Sequence, residues 1–195
     1  MTKEGYLKEI ARETAKMSWP GEMNNIVVAG TKAELEKYFT GPEFPIEELW
    51  DGTSIAYIDY EKWHKGQTQN ISKHVVVKTD KKPYVPVAVS AKFLNTFMHQ
   101  LMKYEKFRGF YELLHLPLDS RVIKHKDIKK KCEELKITNA YTIDYDTYKN
   151  VQEGLKKLLE DYTEQLESAG IKLRSRIDLN AVLWAGESKG KKSKN

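Results

Sequence analysis

The sequence predicts an all-α fold, two helical lobes with a groove between them, from three observations. Long segments carry apolar residues at the three-and-four spacing of a helix buried along one face. Most of those segments follow a Thr or Asp placed as an N-cap. The run with strand character, residues 24–30 (NNIVVAG), stands alone, and one strand makes no sheet, so a buried connection describes it equally well.

Taken in order, Thr2 caps a first helix with Tyr6, Leu7, Ile10, Thr14 and Met17 on its inner face, ended by Trp19-Pro20-Gly21. Thr31 and Glu34 have capping-box spacing and start a short helix reaching Phe39. Asp59 caps a third, with Tyr60, Trp63, Gln67, Ile71, His74 and Val75 along one side. The strongest periodicity follows at Val87, Ala91, Leu94, Phe97, Met98, Leu101 and Tyr104, with Pro86 suited to the first turn. This predicts a buried helix over residues 87–104, ended by the polar stretch at 106–109.

Pro117 holds Leu116 extended, and Asp119 then caps a helix start carrying Arg121 and Lys124. Ile128, Cys132 and Leu135 mark a helix over 124–136. Asp144 caps the longest helix, with Tyr148, Val151, Leu155, Leu158, Leu159, Tyr162, Leu166 and Ala169 as its stripe and Gly170 at its end. Asp178 caps a last helix with Leu179, Val182, Leu183 and Trp184. Residues 1–186 read as a single all-α domain, and 187–195, with four lysines against one glutamate, as a disordered basic tail.

The single cysteine, Cys132, excludes an intramolecular disulfide and any multi-cysteine metal site. His64, His74, His99, His115 and His125 lack metal-ligand spacing, so no metal is expected, and no nucleotide-binding or nucleophile-elbow motif implies a cofactor. Without a long apolar run or a signal-peptide start, the expectation is a soluble cytoplasmic protein with no membrane partner. The net charge of +5 permits an acidic partner without requiring one, because 33 basic residues are set against 28 acidic ones.

Chemistry looks arranged around Asp119, a carboxylate at a helix N-terminus, behind a buried helix and ahead of a basic run. From Arg121 to Lys136 there are seven basic and three acidic residues, Lys124, Lys126 and Lys130 among them. Such a run either tracks a phosphate backbone or is a solvated helix face. Lys92, inside the apolar helix, is either a lysine snorkelling from the core edge or an amine tuned by burial. Tyr57, Tyr60, Trp63 and Tyr84 either stack on a base or fill the core.

The segment LHLPLDSRV resembles the one that carries the catalytic aspartate in helix–hairpin–helix DNA glycosylases. The AKFLN segment at 91–95 and the ending RIDLNAVLW at 176–184 are similar to the archaeal 8-oxoguanine DNA glycosylase/lyase branch. The likeness covers residues 83–186. It implies a glycosylase-like fold, a DNA partner, excision of a damaged base flipped from the duplex, and Asp119 stabilising positive charge on the sugar. It also implies a lysine amine that forms a Schiff base where AP lyase activity is present. Lys92 is the candidate amine, and Arg121, Lys124, Lys126 and Lys130 are the candidate DNA contacts. The chain departs from the family in two places. The hairpin glycines are missing at 81–86, and the family's nucleophile position falls near Val85. Lys82 lies near that end, but prolines intervene. These departures keep a second reading open, in which the same scaffold is a non-catalytic helical module binding DNA or a protein partner.

Overall fold

Side-chain caps open four of the eight described α-helices, at Thr2, Asp119, His125 and Asp144. The structure is a computed structural model that describes residues 2–19, 21–50, 57–78 and 84–188, without the side chains of 57–58 and 184–188. It is all-α, and the described residues contain no β-strand, only an isolated bridge between Val27 and Val77. Thr2 Oγ1 accepts from the Gly5 amide (3.1 Å) to open α1 (Lys3–Met17). Asp144 Oδ1 accepts from the Thr147 amide (2.7 Å) to open α7 (Tyr145–Glu167).

The N-terminal lobe comprises α1, α2 (Thr31–Thr40) and α3 (Tyr57–Ser72), with short 3-10 turns at Gly21–Asn25 and Ile46–Leu49. Its core packs Leu7, Ile10, Phe39, Phe44, Leu49 and Ile71 against Phe93, Phe97 and Leu101 of α4 (Pro86–Leu101). Phe39 and Phe97 stack with ring centroids 4.1 Å apart. The other lobe comprises α5 (Ser120–Lys124), α6 (Lys126–Glu134), α7 and α8 (Leu179–Ser188). Its core contains Leu118, Val122, Ile128, Cys132, Val151 and Leu155 and meets Ala88 and Ala91 of α4. The long apolar side chains of α4 therefore serve one core, and its two alanines let the other approach its backbone.

Several boundaries differ from expectation for local reasons. Gly30, at φ +93°, takes the cap position of α2, so Thr31 is its first helical residue and no capping box forms. α3 begins at Tyr57, which puts Asp59 in its first turn. α4 ends at Leu101, short of Tyr104, because the chain tightens into a 3-10 segment over Glu105–Leu113 that buries Phe107 and Phe110. The helix expected over 124–136 is α6, which starts at Lys126 because Lys124 ends α5 and His125 between them is extended (ψ 137°), its Nδ1 accepting from the Asp127 amide (3.4 Å). Asp178 faces backwards, with Oδ2 accepting from the Arg174 and Ser175 amides (2.7 and 2.9 Å).

Residues 24–30 form part of a 3-10 turn and then the bridge, with the Val28 amide donating to Val76 O (2.9 Å). Met17 and Tyr6, expected inside, are 43% and 40% exposed. α8 runs past Gly186 to Ser188, and residues 189–195 of the expected tail lie outside the described residues. So do Lys82, most of the hairpin segment and the side chains of Tyr57 and Trp184. No described helix is long and apolar enough to cross a membrane.

Candidate active site

Two of the positions singled out from sequence meet at the seam between the lobes. Leu116 and Leu118 are buried in the second core, which fixes the extended stretch delivering Asp119 to the head of α5. The carboxylate divides its work between its two oxygens. Oδ1 accepts from the Arg121 and Val122 amides (2.8 and 3.0 Å), which is the cap. Oδ2 faces Arg121 Nη2 (3.1 Å) and Lys92 Nζ (4.0 Å). Capping and chemistry are thus compatible in one residue.

Lys92 leaves α4 beside Ala91, and its side chain is 7% exposed. Its amine donates to Tyr141 Oη (2.9 Å) and to Glu22 Oε1. Tyr141 Oη in turn donates to the same Glu22 oxygen (2.6 Å). Tyr141 is held in place by its own carbonyl, which accepts from the Val85 amide (2.8 Å) at the start of α4. Burial pushes Glu22 up, but the hydrogen bonds from Lys92 and Tyr141 and the ammonium charge outweigh it and leave Glu22 below the usual carboxylate range. Burial, the bond to Glu22 and the charges of Glu22 and Asp119 raise the Tyr141 phenol far above its ordinary value, so it stays neutral. Lys92, Arg121, Glu22 and Asp119 form a compact set of two cations and two anions.

Compared with known proteins, the chain matches no family model, no curated protein and no solved structure.

The basic residues are divided by the break at His125. Arg121 is tied to Asp119. Lys124 ends α5 and Lys126 begins α6, both exposed, with Lys130 a turn further on and also exposed. Lys126 and Lys130, four apart, lie on one helical face. Lys129 and Lys131 are paired within α6 to Glu133 (3.5 Å) and Glu134 (3.9 Å). Tyr60 and Trp63 pack with the first core, and Tyr84 packs edge-on to Tyr141 with centroids 6.4 Å apart.

Glu22 and Tyr141 escape sequence reasoning. They lie 70 and 49 residues from Lys92, and neither sits in a recognisable motif. A second polar group, also unforeseen, lies buried between α3, α4 and α7. Asn95 Nδ2 donates to Tyr148 Oη (2.7 Å), so Asn95 Oδ1 faces His64 Nε2 (2.8 Å), which must carry the proton. His64 Nδ1 then accepts from Tyr145 Oη (2.8 Å). Tyr148 donates to His115 Nδ1 (2.8 Å), and His115 Nε2 donates to Glu61 Oε1 (2.6 Å), with Arg176 Nη2 at 3.7 Å from that oxygen. Five hydrogen bonds thus run in one direction from Tyr145 to Glu61 with both histidines neutral. Burial, with His115 nearby, lowers His64 well below the usual imidazole value, and burial with Arg176 and Lys149 nearby lowers His115 likewise.

Proposed function

We propose that this chain is a glycosylase-like DNA-binding protein that excises a damaged base, of 8-oxoguanine type, from DNA. The observation that carries this reading is the 4.0 Å approach of Lys92 Nζ to Asp119 Oδ2 at the seam. The two belong to separate elements, and both occur in segments that resemble the glycosylase family. A flipped nucleotide entering the seam would present its sugar to both groups. As the glycosidic bond lengthens and its electrons leave with the base, the Asp119 carboxylate offsets positive charge on the sugar. The Lys92 amine, once deprotonated, forms the new bond to C1′. The nitrogen gives up one N–H proton to solvent, and transfer of its second N–H proton to O4′ as the C1′–O4′ bond opens gives the imine, while the departing base takes a proton from solvent. Lys124, Lys126 and Lys130 would supply phosphate contacts, which position without reading sequence.

A specific observation favours the alternative of a non-catalytic binding module. The amine is already engaged by Glu22 and Tyr141, and Val85 stands where the family's nucleophile belongs. The test is a panel of lesion-bearing duplexes scored for base release, with an undamaged duplex as control, followed by borohydride trapping. Base release with a trapped adduct that is lost in Lys92→Gln supports the proposal. No release from any lesion leaves the binding module.

A further inference from the structure

We propose that Glu22 is a gate on the Lys92 amine, a side chain that holds the amine unreactive until it swings away. This deepens the preceding reading and rests on it for the identity of the electrophile.

The gate is suggested by how the Gly21–Asn25 turn is held. Met23 is fully buried in the first core. Lys78 Nζ donates to Asn24 O (2.7 Å), and Trp19 Nε1 donates to Asn24 Oδ1 (3.1 Å). Trp19 itself stacks on Phe93, next to Lys92 in α4, with centroids 5.0 Å apart. The chain after Glu22 is therefore held at Met23 and Asn24, and Trp19 is anchored ahead of it. The Glu22 side chain is not: 42% of it is exposed, against 7% for Lys92 and 14% for Asp119. It lies on the solvent side of an amine that is otherwise enclosed. Rotation about its own side-chain bonds uncovers the amine without moving the fold.

Chemistry makes the contact inhibitory. An amine attacks carbon only through its lone pair, which a proton occupies in the ammonium form. A carboxylate hydrogen-bonded to Nζ favours that form. Glu22 is ionised at neutral pH, so the pairing is in force there. With Glu22 withdrawn, Lys92 keeps Tyr141 at 2.9 Å and Asp119 at 4.0 Å. One carboxylate then remains, at the longer distance, on the wall of the seam and no longer across its mouth.

The test is independent of DNA. Purified wild-type protein, Glu22→Gln and Glu22→Ala are treated with formaldehyde and cyanoborohydride at neutral pH, and methylation of each lysine is followed by peptide mass spectrometry. Exposed Lys157 is the internal reference. In the wild type, Lys92 should react more slowly than Lys157. In both variants its rate should rise about tenfold with Lys157 unchanged, as expected when one close carboxylate is removed from a buried amine. Glu22→Asp keeps the charge but draws it back by one methylene, and serves with a smaller expected rise if the neutral variants lose helix by circular dichroism. A Lys92 rate that is the same in wild type and variants, or a wild-type Lys92 as reactive as Lys157, overturns the gate. The two proposals fail separately. A freed Lys92 that traps no lesion duplex retains the gate and removes the glycosylase, while equal trapping by wild type and Glu22→Gln does the reverse.

Discussion

Mild acid should destabilise this protein through His64 and His115, before its carboxylates titrate. Both rings are completely enclosed, with centroids 4.3 Å apart, and both must be neutral for the five-bond chain to close. The groups around them are Tyr60 and Glu61 of α3, Asn95 of α4, Tyr145 and Tyr148 of α7, and Arg176. Of these Asn95 and Glu61 favour a second proton on His64, whereas burial and Arg176 oppose it at both rings and Lys149 opposes it at His115. A histidine whose native value is depressed stabilises the fold above its unfolded value, and that contribution is lost as pH falls from there towards the native value. The unfolded value is about 6.5, and each histidine kept neutral in the native state costs about 1.4 kcal/mol at pH 5.5, about 2.8 kcal/mol for the pair. For a chain of this size that corresponds to a fall in Tm of roughly 6–11 °C between about pH 7.5 and about 5.5. His99, lowered by burial and by Lys103, adds in the same direction. Thermal melts followed by circular dichroism across that window measure the effect, and His115→Gln should remove about half of the slope. A Tm that stays level or rises on acidification would refute the neutral, directional chain.

Three further outcomes are expected. Asp119→Asn keeps a capping acceptor, so stability should fall by less than about 1 kcal/mol; base release, if present in the wild type, should be abolished, as scored on the lesion duplex that the wild type cleaves. Lys124, Lys126 and Lys130, exposed on α5 and α6, should each contribute about −0.9 to the slope of log affinity against log salt for duplex DNA, and replacing each with Gln in fluorescence anisotropy titrations should flatten it accordingly. Leu155→Ala, at a fully buried position of the second core, should cost about 2–5 kcal/mol in urea unfolding.

What could be read in the sequence was local. Thr2, Asp119 and Asp144 cap their helices because a side chain reaching an amide two or three residues ahead needs nothing from the rest of the chain. The α4 periodicity was legible for the same reason, since spacing along one helix records which side is buried. The failures each involve something distant or a backbone choice that side chains do not announce. Gly30 could pre-empt Thr31 because glycine tolerates positive φ, and the pattern T-x-x-E holds whether or not the cap forms. His125 broke a basic run that reads as one helix, since its ring caps the second segment and no Gly or Pro marks the spot. Glu22 and Tyr141 meet Lys92 only after the lobes have packed. His64 and His115 read as scattered because 51 positions separate them in a chain where α3 and the strand-like stretch before Pro117 become neighbours.

The seam acquires polar groups because α4 serves two cores at once. A helix lying on one core turns its remaining sides to water; this one has Phe93, Phe97 and Leu101 committed to the first core and Ala88 and Ala91 to the second. Lys92 and Asn95, one turn apart, are buried in the same helix, Asn95 on the stripe of Ala88 and Ala91 and Lys92 beside it. An unpaired ammonium or amide there would cost several kcal/mol, so each must find partners from both lobes. Asn95 finds His64 from one side and Tyr148 from the other. Lys92 likewise finds Glu22 from the first lobe, Tyr141, whose ring is buried in the first core, and Asp119 from the second lobe. The two differ in access: the Asn95 cluster is closed on every side, whereas Lys92 has one partner, Glu22, that is substantially solvent-exposed. A buried cation with an exposed, replaceable counter-ion can exchange that partner for an incoming ligand, and this makes the Lys92 end of the seam, not the histidine end, the place to look for chemistry.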